Sequence, residues 1–190
     1  MLGHDAPVLA DHDAVGVGVD VDRAAGTRVT GREIREHQGK LPIYSCFKTD
    51  REIKGFVDEH FFAETKKGTV EIQPIVTINA NGASVGKVYV RRDRCGITDD
   101  VIIVDVRTDK IDRDFLAVAL RAAVYKGGFL YEAKLFTTRV KGLEVEIPVT
   151  QSGQLDVKQQ QAIASAVRRF DALRTRLHDL GLRSESVRAV

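Results

Sequence analysis

Hydrophobic positions along the chain change their period, and the changes mark the elements. An alternating piece at 15–21 has the pattern of an edge strand, and a short polar helix is expected at 31–37. A turn at Gly39 then feeds a β-branched and aromatic run up to Phe47, expected as a strand. After a polar turn at 51–55 comes an apolar piece at 56–63, closed by the basic turn Lys66-Lys67-Gly68. Residues 70–78 and 87–91 read as strands on either side of the small polar loop Asn79-Ala-Asn-Gly-Ala-Ser-Val-Gly86, and 101–106 reads as a buried strand. An amphipathic helix is predicted at 112–126, with Gly127 and Gly128 as its C-cap, followed by a short strand or loop at 129–136. Strands dominate the first two thirds.

The last third has a different rhythm. An apolar run at 145–149 ends at Pro148, Ser152 and Gly153, the signature of a strand and a turn. Asp156 with Gln159 three residues on is a capping-box pattern, so a long helix is expected to start there. Within it Ile163, Ala166, Phe170, Leu173, Leu177 and Leu180 recur at alternating steps of three and four, which keeps one narrow seam facing one way. From Asp156 to Leu180, at ~1.5 Å per residue, the rod reaches on the order of 37 Å, too long to lie wholly on a small domain's own core. Two readings stand: an amphipathic helix packed on its own sheet, or a seam that pairs with a second helix. The length favours the second. The expected fold is therefore α+β, a β-rich globular part followed by a long C-terminal helix.

Composition narrows the class without naming a function. At 190 residues, 43% apolar and 29% charged, the chain suits one well-buried core with a projecting element. Neither an apolar run of membrane-spanning length nor a basic segment followed by an apolar core is present, so no membrane partner or leader is expected. Cys46 and Cys95 lack metal or disulfide spacing, which points to a reduced, cytoplasmic protein. The net charge of +2 hides an asymmetry: residues 1–22 hold five of the 27 acidic residues and none of the 29 basic ones, leaving a body of about +7. Such a body is compatible with a polyanionic partner.

Catalytic motifs are weak. Gly16 and Gly18 begin a dinucleotide-like pattern, but Asp20 and Asp22 stand where a third glycine and an apolar helix start are needed. Gly82 and Gly86 have three residues between them, and Val88 rather than Ser or Thr follows Lys87, so the loop is not a P-loop. His4, His12, His37, His60 and His178 have no ligand spacing, and neither Ser45 nor Cys46 has an identifiable base. Asp58 with Glu64 and Lys66, or Asp105 with Glu132 and Lys134, could imitate the acidic pair and lysine of a magnesium-dependent nuclease. That reading stays open as an alternative, as does a protein–protein adaptor that uses only the helix seam.

The order of signatures resembles the target-recognition half of a type I restriction-modification DNA specificity subunit. The pieces that carry it are Arg28-Val-Thr-Gly-Arg-Glu-Ile, Gly39-Lys-Leu-Pro-Ile-Tyr-Ser, Asn79-Ala-Asn-Gly-Ala-Ser-Val-Gly-Lys-Val and Gly96-Ile-Thr-Asp-Asp-Val. Leu143-Glu-Val-Glu-Ile-Pro-Val and the Gln159-Gln-Gln-Ala-Ile-Ala helix complete them. The resemblance covers roughly residues 27–183. It implies a lead-in at 1–26, a DNA target-recognition domain at 27–153 and a spacer or dimerisation helix with its tail at 154–190.

It further implies a non-catalytic, half-length subunit that reads one half of a bipartite site in double-stranded DNA. Its long helix would pair antiparallel with another in a coiled coil, most simply in a homodimer. Methyltransferase subunits would bind S-adenosylmethionine and modify adenine, and a motor-nuclease subunit would cut; this chain itself would carry no cofactor or metal. All four prolines, Pro7, Pro42, Pro74 and Pro148, are isolated, so the Pro-Pro motif of adenine methyltransferases is missing.

Candidate DNA contacts follow from side-chain chemistry. Lys48, Arg51, Lys66 and Lys67 suit phosphate neutralisation. Asn79, Asn81, Ser84 and Lys87 lie in or beside the glycine loop, where Asn suits adenine and Lys guanine. Arg91, Arg92, Tyr131, Lys134 and Arg139 complete the set.

Overall fold

The computed structural model describes residues 26–72, 74–104, 106, 108–127, 140 and 142–182, together with the backbone of 15–16 and 183–188. In chain order the elements are β1 (Val15–Gly16), α1 (Gly31–Glu36), β2 (Gln38–Tyr44), β3 (Gly55–Val57), β4 (Ile75–Asn79), β5 (Val88–Arg91), β6 (Gly96–Ile97), β7 (Val101–Val104), α2 (Arg113–Lys126), β8 (Glu146–Ile147) and α3 (Val157–Arg188). A π-helical turn occupies Phe61–Thr65 and a 3-10 turn Gly82–Ser84. The α+β class and the long C-terminal helix are as the sequence indicates. The 15–21 alternation has only Val15–Gly16 in a described strand, which pairs antiparallel with β8. Residues 129–136 lie outside the described part.

Local chemistry sets these limits. Thr30 and Glu33 form a reciprocal capping box that starts α1. Pro74, with no N–H to donate, stands before β4, so the strand expected over 70–78 is confined to Ile75–Asn79, with Glu71 and Cys95 making an isolated bridge. The 145–149 strand narrows to Glu146–Ile147, directly before Pro148. Asp112 caps α2 by accepting from the Phe115 N–H at 2.8 Å.

Two three-stranded sheets stand against each other. In one, β2 is central, antiparallel to β3 and parallel to β6; in the other, β4 is central and antiparallel to both β5 and β7. The period of two along strands sorts the second sheet. Val76, Ile78, Val88, Ile102 and Val104 face α2 and meet Phe115, Leu116, Leu120 and Val124. Val101 and Ile103 face the other way and pack with Tyr44, Cys95 and Ile97 of the first sheet's side. Asn79, Tyr89 and Arg91 fall on that same side by alternation, a placement that decides their role.

Helix α3 divides along its length. Near its start Gln160 and Ala164 are fully buried, and Ile163 packs against the core beside them. Gln160 accepts from the Asp112 N–H at 2.9 Å and donates to the Lys110 carbonyl at 3.2 Å, which joins the root of α3 to the cap of α2. Asp114 in the first turn of α2 holds both Arg92 and Arg168 at 2.5 Å. Beyond this root the seam residues leave the core: Phe170 is 65% exposed, Leu173 58%, Leu177 69% and Leu180 59%.

At ~100° per residue these seam positions lie roughly a third of a turn round the helix from the Gln160–Ala164 face. Of the six seam residues, then, Ile163 serves the chain's own core, Ala166 is exposed beside it, and the other four form an exposed apolar stripe. The first reading of the helix thus holds for its root, and beyond the root the apolar stripe faces solvent. Among the described residues no helix is long and apolar enough to cross a membrane.

Candidate nucleic-acid interface

The alternation Lys87-Val-Tyr-Val-Arg91 turns two valines toward α2 and sends Lys87, Tyr89 and Arg91 toward the segment that follows β2. There they meet backbone oxygens. Asn79 Nδ2 donates to the Phe47 carbonyl at 2.8 Å, and the Tyr89 hydroxyl lies 3.2 Å from that oxygen and 2.8 Å from the Lys48 carbonyl. Lys87 Nζ donates to the Lys48 carbonyl at 2.8 Å, and Arg91 Nη1 to the Asp50 carbonyl at 2.6 Å. Four side chains of one hairpin therefore hold three carbonyls of one loop.

The loop also ties itself: Glu52 Oε1 accepts from the N–H and the hydroxyl of Thr49, each at 2.9 Å. Loops commonly leave such carbonyls to water; this one is fastened to a sheet.

Arg91 is the buried end of the fastening. It is 2% exposed and lies between the rings of Tyr44 and Tyr89, 4.2 Å and 4.7 Å from their centroids. The ring faces stabilise the cation where burial pulls its pKa down. Burial likewise raises the pKa of Tyr89, and of Tyr44, whose hydroxyl donates to Asp93 at 3.0 Å, so both hydroxyls keep their protons at neutral pH.

These positions revise the list of candidate contacts. Asn79, Ser84 and Arg91 are 0%, 3% and 2% exposed, so none can touch a duplex in this fold. Asn79 was expected to read a base because it sits in a polar glycine-rich run, yet it ends β4 and donates to Phe47 and to Ser84 at 2.9 Å. The glycine loop itself is one 3-10 turn. Asn81, Gly82 and Ala83 are exposed, while Gly86, at φ 79°, lies so close to α2 that a Cβ would come 2.7 Å from Val124 Cγ1.

Asn81 remains at the surface, donating to Asp100 at 3.2 Å. Lys66 is sheltered and paired with Glu33 at 2.9 Å, which with Thr30 holds the Glu33 carboxyl at about 2. Lys67 stands 3.8 Å from Glu64, and Arg92 is held by Asp114. Lys48 and Arg51 are exposed on the fastened loop, and neither side chain bonds to any described residue. Tyr131, Lys134 and Arg139 lie outside the described residues, as do Asp105 and Glu132.

Beside the loop a groove of about 750 Å³ opens between β5, α2 and α3. Lys48, Lys87, Arg121 and Arg174 line it with Asp171 and the valines of α2 and β5. Exposed cation at the loop thus continues along the groove toward α3. Sequence reading missed Tyr89 and Arg121; the alternation from Lys87 to Arg91 was the available signal for the first. Arg121 donates to the Val88 carbonyl at 3.1 Å, a contact across 33 positions that no local pattern marks.

Groups suited to covalent or metal chemistry hold other posts. Asp58 caps the π-helical turn, accepting from the Phe61 N–H at 2.8 Å, while Lys66 turns to Glu33. Burial pushes the Cys95 thiol up to about 12 and raises that of Cys46, so both stay protonated at neutral pH. Among the described residues no three His, Cys, Asp or Glu side chains gather as metal ligands.

No family model matches the chain. Over 101 residues, 53% of its length, it is 31% identical to a protein of Mycoplasma pneumoniae named as a type I specificity subunit. The chain resembles type I specificity subunits.

That stretch is 24% of the Mycoplasma protein. The fold agrees with two solved specificity subunits over nearly the whole chain. For the type I restriction-modification S subunit from M. genitalium the TM-score is 0.57 at 15% identity, over 91% of this chain and 43% of that one. For the HsdS subunit from Thermoanaerobacter tengcongensis it is 0.55 at 14% identity, over 90% and 40%. The chain thus spans about two fifths of the length of these specificity subunits.

Proposed function

We propose that the chain is a DNA-specificity component of a type I restriction-modification system. Residues 27–153 read one half of a bipartite site in double-stranded DNA, and residues 154–190 supply the arm that joins two such readers. The sequence likeness to a type I specificity subunit carries this reading. The exposed loop cations and the basic groove support it, because a duplex is a dense line of negative charge.

The stripe Phe170, Leu173, Leu177 and Leu180 supports the arm: four large apolar side chains in one row, each more than half exposed, form the kind of patch that marks an interface. In the proposed assembly α3 pairs antiparallel with α3 of a second copy, and the two reading domains stand at opposite ends. Methyltransferase subunits dock on the assembly, bind S-adenosylmethionine and modify adenine; a motor-nuclease subunit cuts. The chain itself contributes no catalytic group, cofactor or metal site, and it acts in the cytoplasm.

Selection of duplexes from a random pool by the full chain tests the proposal. Two inverted copies of one short motif at fixed spacing are expected, and no enrichment would refute DNA reading. The double substitution Leu173→Asp with Leu177→Asp should yield a folded monomer by light scattering; an unchanged oligomer would remove the seam.

A further inference from the structure

We propose that the 47–52 loop is the base-reading element of the domain, and that Asn79, Tyr89, Lys87 and Arg91 are positioning residues that hold it rather than contacts to DNA. This rests on the DNA-reading function proposed above and assigns it to one segment.

Three observations converge. The hairpin places five donor contacts on the carbonyls of Phe47, Lys48 and Asp50. The Thr49–Glu52 contacts close the loop on itself, so its shape is fixed from inside and from below. What remains outward is Lys48, Asp50 and Arg51.

Their chemistry fits base edges and phosphate. A guanidinium donates two parallel hydrogen bonds to guanine O6 and N7, a carboxylate accepts from the cytosine amino group, and an ammonium neutralises phosphate. Reading such edges requires side chains held at a set angle, because a loop that must be ordered on binding gives up binding energy to that ordering and can settle against wrong edges as well as right ones. The fastening removes this loss in advance. Tyr89 is the central post, since its one hydroxyl proton lies within reach of two successive carbonyls, that of Lys48 the nearer, while its ring covers Arg91.

The test uses the full chain, the duplex enriched by the wild type and a scrambled duplex of equal length. Wild-type chain that does not distinguish the two ends the DNA-reading function itself, a result separable from those that follow. Arg51→Ala should lose 10-fold or more on the enriched duplex and under 2-fold on the scrambled one; replacing one guanine of the motif by 7-deazaguanine should weaken the wild type and leave this variant unaffected.

Tyr89→Phe keeps the ring and deletes the hydroxyl. It should reduce the ratio of enriched to scrambled binding about 3- to 10-fold with the salt dependence unchanged. A residue that served stability alone would lower the melting temperature and leave that ratio where it was, which would overturn the proposal, as would equal losses on both duplexes. Should Tyr89→Phe fail to fold, Lys87→Met removes the exposed donor to Lys48 and must show the same loss of ratio.

Discussion

Replacing Gln160 with alanine tests how the root of α3 is joined to the globular part. In the native chain its amide is fully buried and makes two hydrogen bonds, one from the Asp112 N–H and one to the Lys110 carbonyl. Each is worth about 0.5–1.5 kcal/mol net, and an orphaned buried backbone group costs about 1–3 kcal/mol. Alanine returns a few tenths through its higher helix propensity. The expected loss is therefore about 2–4 kcal/mol, or roughly 4–16 °C in melting temperature for a chain of this size. Gln161→Ala, one position on and exposed, provides the control and should fall within about 0.5 kcal/mol of native. Urea titration followed by circular dichroism measures both. A Gln160→Ala loss below about 0.5 kcal/mol would refute the assignment of Gln160 as the link between α2 and α3.

Two further substitutions test other parts of the frame. Gly86→Ala places a side chain at φ 79° and a methyl 2.7 Å from Val124 Cγ1; the left-handed backbone alone costs about 1–2 kcal/mol, so calorimetry should show a melting temperature lower by about 2–8 °C. Native-like melting would show that the β4–β5 turn does not depend on glycine. The Glu33 carboxyl, held at about 2 below its ordinary 4.5 chiefly by Lys66, contributes stability that is fully present above about pH 4.5 and is lost as pH falls through about 2. Carbon-detected NMR titration should place its midpoint near 2 and, in Lys66→Met, closer to 4.5; an ordinary midpoint in the native chain would remove the Glu33–Lys66 pair from the account.

Hydrophobic period showed most of the elements because it is local. Asp156 announced the cap of α3, where it accepts from the Gln159 N–H at 2.9 Å, and Val76, Ile78, Ile102 and Val104 showed the strands they occupy. Partnership is not local. Asn79 looked like a surface reader, since a polar residue among glycines usually faces water; only the neighbouring Phe47 segment, 32 positions away, explains its burial. Lys66 looked free because Glu33 lies 33 positions earlier. Gln160 looked wet among three glutamines, and its burial depends on where α2 begins. The seam was legible as a stripe, but its separation from the core-facing side required knowing that Gln160 and Ala164 mark that side. Of the candidate site, Lys48 and Arg51 stand exposed as their chemistry led one to expect, whereas Arg91 and Asn79 are buried beneath them and donate to the loop's backbone carbonyls.

Base-resolved adenine methylation of random-sequence DNA, with the chain and a type I methyltransferase subunit mixed and each also tested alone, addresses the central claim most directly. Methylation is expected to be confined to a two-part, symmetric site and to occur only when both proteins are present. Methylation that is the same with and without this chain would contradict that claim.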